Sequence, residues 1–129
     1  MTNIRFAKFL ALPALLAGAA LAHHTTALFN AAEPVQLAGT VESFAWGNPH
    51  SWIKISVPGA NGNATEWLIE CNSIPLLKRF GWTSTSVRPG DRITVSIAPD
   101  FDGFKRGEAL SVTTAAGVKL NNAMVESGG

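Results

Sequence analysis

Cysteine is almost missing from this 129-residue chain: Cys71 stands alone, so no intramolecular disulfide can form and a packed core must supply the stability. Paired cysteines and a helical two-histidine pattern are also lacking, which argues against a structural zinc site. There is no excess of one charge sign, since ten Lys+Arg face nine Asp+Glu for a formal net charge of +1. Without a clustered basic face, no nucleic-acid partner is expected. Ser43, Ser51 and Ser73 lie in no nucleophile elbow, so acyl transfer has no support. Glu66 and Glu70 share one face of a strand, but nothing in the sequence buries either, and they read as a solvated face and not a glycosidase pair. No catalytic residue is assigned, and the chain reads as non-catalytic. Repeats and low-complexity blocks are absent.

What is present begins with a leader. Arg5 and Lys8 make a basic n-region, Phe9 to Leu16 an apolar h-region, and Ala20-Leu21-Ala22 a small-x-small cleavage signal. The apolar stretch is shorter than the ~20 residues a comfortable span needs, and Pro13 interrupts it. Residues 1–22 are therefore expected to be a cleaved signal peptide, with a periplasmic or secreted mature chain starting at His23 and carrying no transmembrane anchor. Subtracting 22 from 129 leaves 107 residues, enough for one domain. Losing Arg5 and Lys8 leaves eight basic against nine acidic residues, a net charge of −1 with histidine neutral.

Five runs alternate with period two between turn residues, the signature of a β-domain. Val35, Leu37 and Val41 share one parity while Phe44 and Trp46 share the other, so the run Val35–Trp46 is expected to contain a bulge or bend, with Gly39 a weak point near it. Ile53, Ile55 and Val57 define the second run, and Pro58 to Asn63 reads as a hairpin connection. The third, Thr65–Cys71, turns Trp67, Ile69 and Cys71 inward, so Cys71 reads as a buried small hydrophobe. Asn72 or Ser73 can cap a short helix over Ile74–Phe80, with Pro75 in its first turn and Gly81 as the stop. Arg92–Ala98 and Glu108–Thr114 complete the set. Three strands, a helix and two strands is the order of a five-stranded Greek-key barrel of the oligonucleotide/oligosaccharide-binding (OB) type. The expected fold is thus all-β with a small α contribution: an arm at 23–34, an OB-like barrel over 35–120 and a flexible tail at 121–129. A small open sandwich is the alternative.

Several motifs resemble a family in order and spacing: Leu37-Ala38-Gly39-Thr40-Val41, Phe44-Ala45-Trp46-Gly47-Asn48-Pro49-His50, Trp67 with Glu70, Arg79-Phe80-Gly81-Trp82, Pro89-Gly90-Asp91 and Asp102-Gly103. Together they are similar to the small exported bacterial proteins of domain-of-unknown-function family 6152, over about residues 22–120. The pair His23-His24 belongs to the same pattern. Thr25 stands where the family usually has serine, and Arg106-Gly107 where it often has two glycines. The resemblance implies export and a β-rich domain, and no established reaction.

The three histidines carry what chemistry remains. At a mature N-terminus His23 would offer an α-amine and an imidazole to one metal ion, with His24 beside it and His50 able to complete the set. Such a nitrogen donor set suits a transition metal such as copper, as Cu(II). In an OB barrel His50 falls in the loop between strands 1 and 2, which with the loop between strands 4 and 5 forms the usual ligand edge. That second loop, Pro99 to Gly107, contains Asp100 and Asp102. The other reading is an OB-type module that binds a small ligand, glycan or periplasmic protein partner through Trp46, Asn48, Trp52, Asp100 and Asp102. The bland alternative is a disordered polar start at His23-His24 and a turn histidine at position 50.

Overall fold

The computed structural model describes residues 28–123. The leader, His23, His24 and the last six residues lie outside them. The order is β1 (Val35–Ala45), β2 (Ser51–Pro58), β3 (Ala64–Cys71), α1 (Ile74–Arg79), β4 (Arg92–Pro99), β5 (Arg106–Thr113) and β6 (Lys119–Asn121). The strands run β3-β2-β1-β4-β5-β6 across the sheet. Parallel pairing of β3 with β5, at Leu68↔Arg106, Ile69↔Gly107 and Glu70↔Glu108, closes the first five into a barrel. This is the expected five-stranded OB-like barrel with its helix between strands 3 and 4.

Alternation fills the barrel. Leu37, Val41, Ile53, Ile55, Ile69, Cys71, Ile93, Val95, Ile97 and Val112 form one buried cluster, and Lys54, Glu66 and Thr94 stand outside on the same strands. The parity change in β1 is a bulge, where the register with β2 slips between Val41 and Ser43. Gly39 permits a close approach of β1 and β2, since a Cβ there would lie 2.6 Å from the carbonyl oxygen of Ser56.

The helix starts at Ile74 after Ser73 at the N-cap, with Pro75 in its first turn, but no Ser73 side-chain bond caps it. Asn48 supplies that acceptor from the β1–β2 loop, its Oδ1 receiving the Ile74 N–H at 2.8 Å. Leu77, fully buried, ties the helix to the core; burial of such a side chain contributes about 1.5–3 kcal/mol.

The sheet continues one residue beyond the expected boundary at Leu120, and ordered structure one residue further. Asn121 belongs to β6, and Asn122 is a buried polar junction. Its Oδ1 accepts the Asn72 N–H at 2.8 Å, its Nδ2 donates to the Ala109 carbonyl at 2.8 Å, and its own carbonyl accepts from Asn72 Nδ2. The Trp82 indole donates to the Asn121 carbonyl at 2.7 Å. At the other end, Phe29 is buried and bridges antiparallel to Asp100. Asn30 N–H donates to the Pro99 carbonyl at 2.8 Å and Phe101 N–H to the Leu28 carbonyl at 3.0 Å. The chain before β1 is thus tied to the β4–β5 loop. No helix among the described residues is long and apolar enough to cross a membrane.

Candidate functional site

The mouth of the barrel gathers the start of β2, the end of β3 and the start of β5. The β1–β2 loop is fixed on its inner side by the buried Ser51, whose hydroxyl donates to the Gly47 carbonyl and accepts the Gly47 N–H, both at 3.2 Å. His50 thereby enters β2 with its imidazole against the outer face. Its Nδ1 lies 3.0 Å from Glu70 Oε1, and the Glu70 side chain keeps only 11% of its accessibility. Trp52 stands across from Glu70 in the β2–β3 register and meets the His50 ring edge-on, with centroids 6.4 Å apart. Glu108 stands across from Glu70 on the other side, through the parallel pairing. Trp52, Glu70 and Glu108 therefore form one outward row over three strands, with His50 at its edge.

Glu70 corrects the expectation of a solvated face. Glu66 is exposed and pairs with Lys54 at 3.3 Å, whereas Glu70 is buried by the His50 ring and the β5 strand closing beside it. Burial, followed by the Glu70 charge, raises the Glu108 carboxyl above its ordinary value, and His50 partly offsets this. On the inner face Cys71 is fully buried. Burial first, then the charges of Glu70 and Glu108, push its thiol far up, so it is held as a neutral thiol and not as a metal-ligating thiolate.

The other sequence-selected residues are placed less uniformly. Asn48 is engaged as the acceptor for α1. Trp46 is half-buried and packs edge-on against Phe44 at 5.7 Å. Asp100 is buried and serves its own loop, accepting from Arg106 Nε and, at 2.7 Å, from the Asp102 N–H. Asp102 is exposed at that loop's tip, between Phe101 and Phe104, which are 61% and 62% exposed. His23 and His24 lie outside the described residues. Among the described residues no group of three His, Cys, Asp or Glu side chains is arranged to hold a metal ion. Sequence reasoning missed Glu108. Its place depends on the parallel register that closes the barrel, for which alternation gives no signal.

The model of a family of unknown function (DUF6152) matches residues 12–109. No curated protein and no solved structure matches the chain.

Proposed function

The chain belongs to the family of unknown function DUF6152, and from that premise we propose that it is an exported, non-catalytic transition-metal-binding protein. Its site joins His50 to the N-terminal His23 and His24. The observation that carries this reading is the His50 imidazole held through Nδ1 by the nearly buried Glu70 carboxylate. A metal-ligating histidine is commonly oriented in this way by a carboxylate, which leaves Nε2 as the donor and raises its basicity. Glu70 is then a positioning residue.

The remaining donors come from the N-terminal arm. Leu28 is tied at Phe101, so only four residue steps separate it from His24 and five from His23. Extended chain spans about 14 Å over four steps and about 18 Å over five. Across the strands, from Glu70 through Glu108 and β4 to the arm is three spacings, about 15 Å, with the Phe29–Asp100 bridge two residues, about 7 Å, further along than Ala98. Two imidazoles, an α-amine and His50 make a nitrogen-rich set that suits Cu(II).

The test is Cu(II) titration of the chain beginning at His23, read by calorimetry and electron paramagnetic resonance. One-to-one binding with nitrogen hyperfine structure is expected. His50→Ala and a one-residue extension before His23 should each remove a nitrogen from the spectrum. Glu70→Gln should weaken affinity by about tenfold or more, the scale of a lost orienting carboxylate. Binding that ignores both His50→Ala and the extension would sink the reading.

A further inference from the structure

At the far end of the barrel from His50, the outer surface of β1, β2, β4 and β5 carries an open, shallow depression of about 500 Å³. Two cross-strand rows build its floor. One runs Arg92↔Thr40↔Ser56, and the other Ala38↔Thr94↔Thr113. Residues directly opposite on paired strands project to the same face, so these hydroxyls converge. Thr114 also lines the cavity, and its Oγ1 accepts the Val118 N–H at 3.2 Å. Ala38, with only a methyl group, keeps the centre of the floor low. Gly39 faces inward beside it, and its lack of a side chain lets β1 approach the Ser56 carbonyl of β2.

The lining contains Arg92 and no carboxylate or aromatic side chain. Among the described residues no ion pair involves Arg92. Two neighbouring acids are engaged elsewhere: Glu66, opposite Ser56, pairs with Lys54, and Asp91 accepts the Arg88 N–H at 2.9 Å, while Glu42, two residues beyond Thr40 on β1, is exposed and outside the lining. Lys119, opposite Thr113 through β6, adds a second cation at the rim. A guanidinium beside several hydroxyl donors matches an oxyanion, because its fork donates charge-assisted bonds that hydroxyls extend. The lack of an aromatic platform disfavours a neutral sugar, which ordinarily stacks on one. A cavity of this volume also holds more than a bare inorganic ion.

We infer that the concave face over Thr40, Thr94 and Arg92 is a second binding site, independent of His50, for a small molecule carrying a phosphate or sulfate group. Shared oxyanion chemistry admits a free inorganic anion or an ester, and the two are separable. Inorganic phosphate, inorganic sulfate and glycerol phosphate would each be titrated into the isotope-labelled protein while amide shifts are followed by NMR. Saturable shifts of the Thr40, Thr94 and Thr113 amides are expected, with glycerol phosphate the tighter ligand if the cavity seats the organic body and equal affinities if it reads the anion alone. Arg92→Gln should weaken binding by about tenfold or more, Thr94→Val should weaken it less, and His50→Ala should leave it unchanged. Both site variants replace exposed or half-buried surface groups, and an unchanged spectrum elsewhere establishes their fold. Absence of saturable shifts with all three probes, or equal binding by Arg92→Gln, overturns the inference.

Discussion

Asp100 illustrates how one carboxylate can organise a loop. Its burial by itself would raise the pKa, but the Arg106 side-chain bond, the Asp102 N–H, the Arg106 charge and a backbone bond from Phe104 outweigh it, and the carboxyl lies below its ordinary value of 3.8. A group with a depressed folded-state pKa contributes stability that is fully present above its unfolded value and is lost as pH falls through the folded one. The expected outcome is that wild type exceeds Asp100→Asn in stability at pH 6, and that the excess shrinks as pH drops below about 4. Urea unfolding of both proteins across that range checks it. An excess that grows on acidification would contradict the assigned direction. Glu108 has the opposite tendency because burial and the Glu70 charge outweigh the offset from His50, so adjacent loop and strand carboxylates respond to acid in opposite senses.

Among the elements, the short arm before β1 has the least support and the most consequence. Phe29 is buried yet lies outside the main core cluster, so its packing holds the arm to the β4 end and not the barrel together. Phe29→Ala is expected to forfeit at most about 3 kcal/mol, the low end for a buried phenylalanine, as local docking. Hydrogen exchange should quicken at Asn30 and Phe101 while the amides of β1 and β4 stay protected. Under the proposed metal-binding reading copper affinity should fall together with this, because an untethered arm lowers the effective concentration of its histidines near His50; unaltered exchange at both amides would refute the docking role. The arm was expected at 23–34, but its docking through Phe29 was not legible in the sequence, since a single bridge to Asp100 has no periodicity to read. By contrast, β1 with its bulge was legible because Val41 and Phe44 lie on opposite parities, and α1 because Pro75 and Gly81 punctuate it. Asn121 and Asn122 looked like the start of a polar tail, and only the Trp82 indole that Asn121 accepts and the Asn72 and Ala109 backbone groups that Asn122 satisfies make them structural. His50 was legible as a loop residue at the ligand edge. Its partner Glu70 was not, because alternation places a side chain on a face but does not say whether another strand will cover it.

At the scale of the whole molecule, the barrel hangs on three residue pairs between β3 and β5. They join positions 38 residues apart in sequence at Glu70 and Glu108, so closure is a long-range event with a loop-entropy cost that the core burial must offset. Gly107 stands in the middle of this seam. A Cβ there would lie 2.7 Å from the Ala98 carbonyl oxygen, 2.7 Å from Ile97 Cδ1 and 3.1 Å from Ile97 Cβ. Ile97 Cδ1 can swing away, but the Ala98 oxygen belongs to the neighbouring strand and can retreat only by parting β4 from β5. Gly107→Ala should therefore destabilise the fold by about 1–3 kcal/mol, the usual range for overpacking, as read from urea midpoints at constant slope. Because the seam joins strands distant in the chain, its strain should be felt after the local β1–β2–β3 hairpins have formed. The kinetic expectation is faster unfolding with little change in folding rate. Parting β4 from β5 at Gly107 would also move Glu108 beside Glu70, so under the proposed metal-binding reading copper binding should weaken even where the protein remains folded. A variant of full stability would mean that β4 and β5 separate at little cost, and then the seam could not be what holds Glu70 against His50.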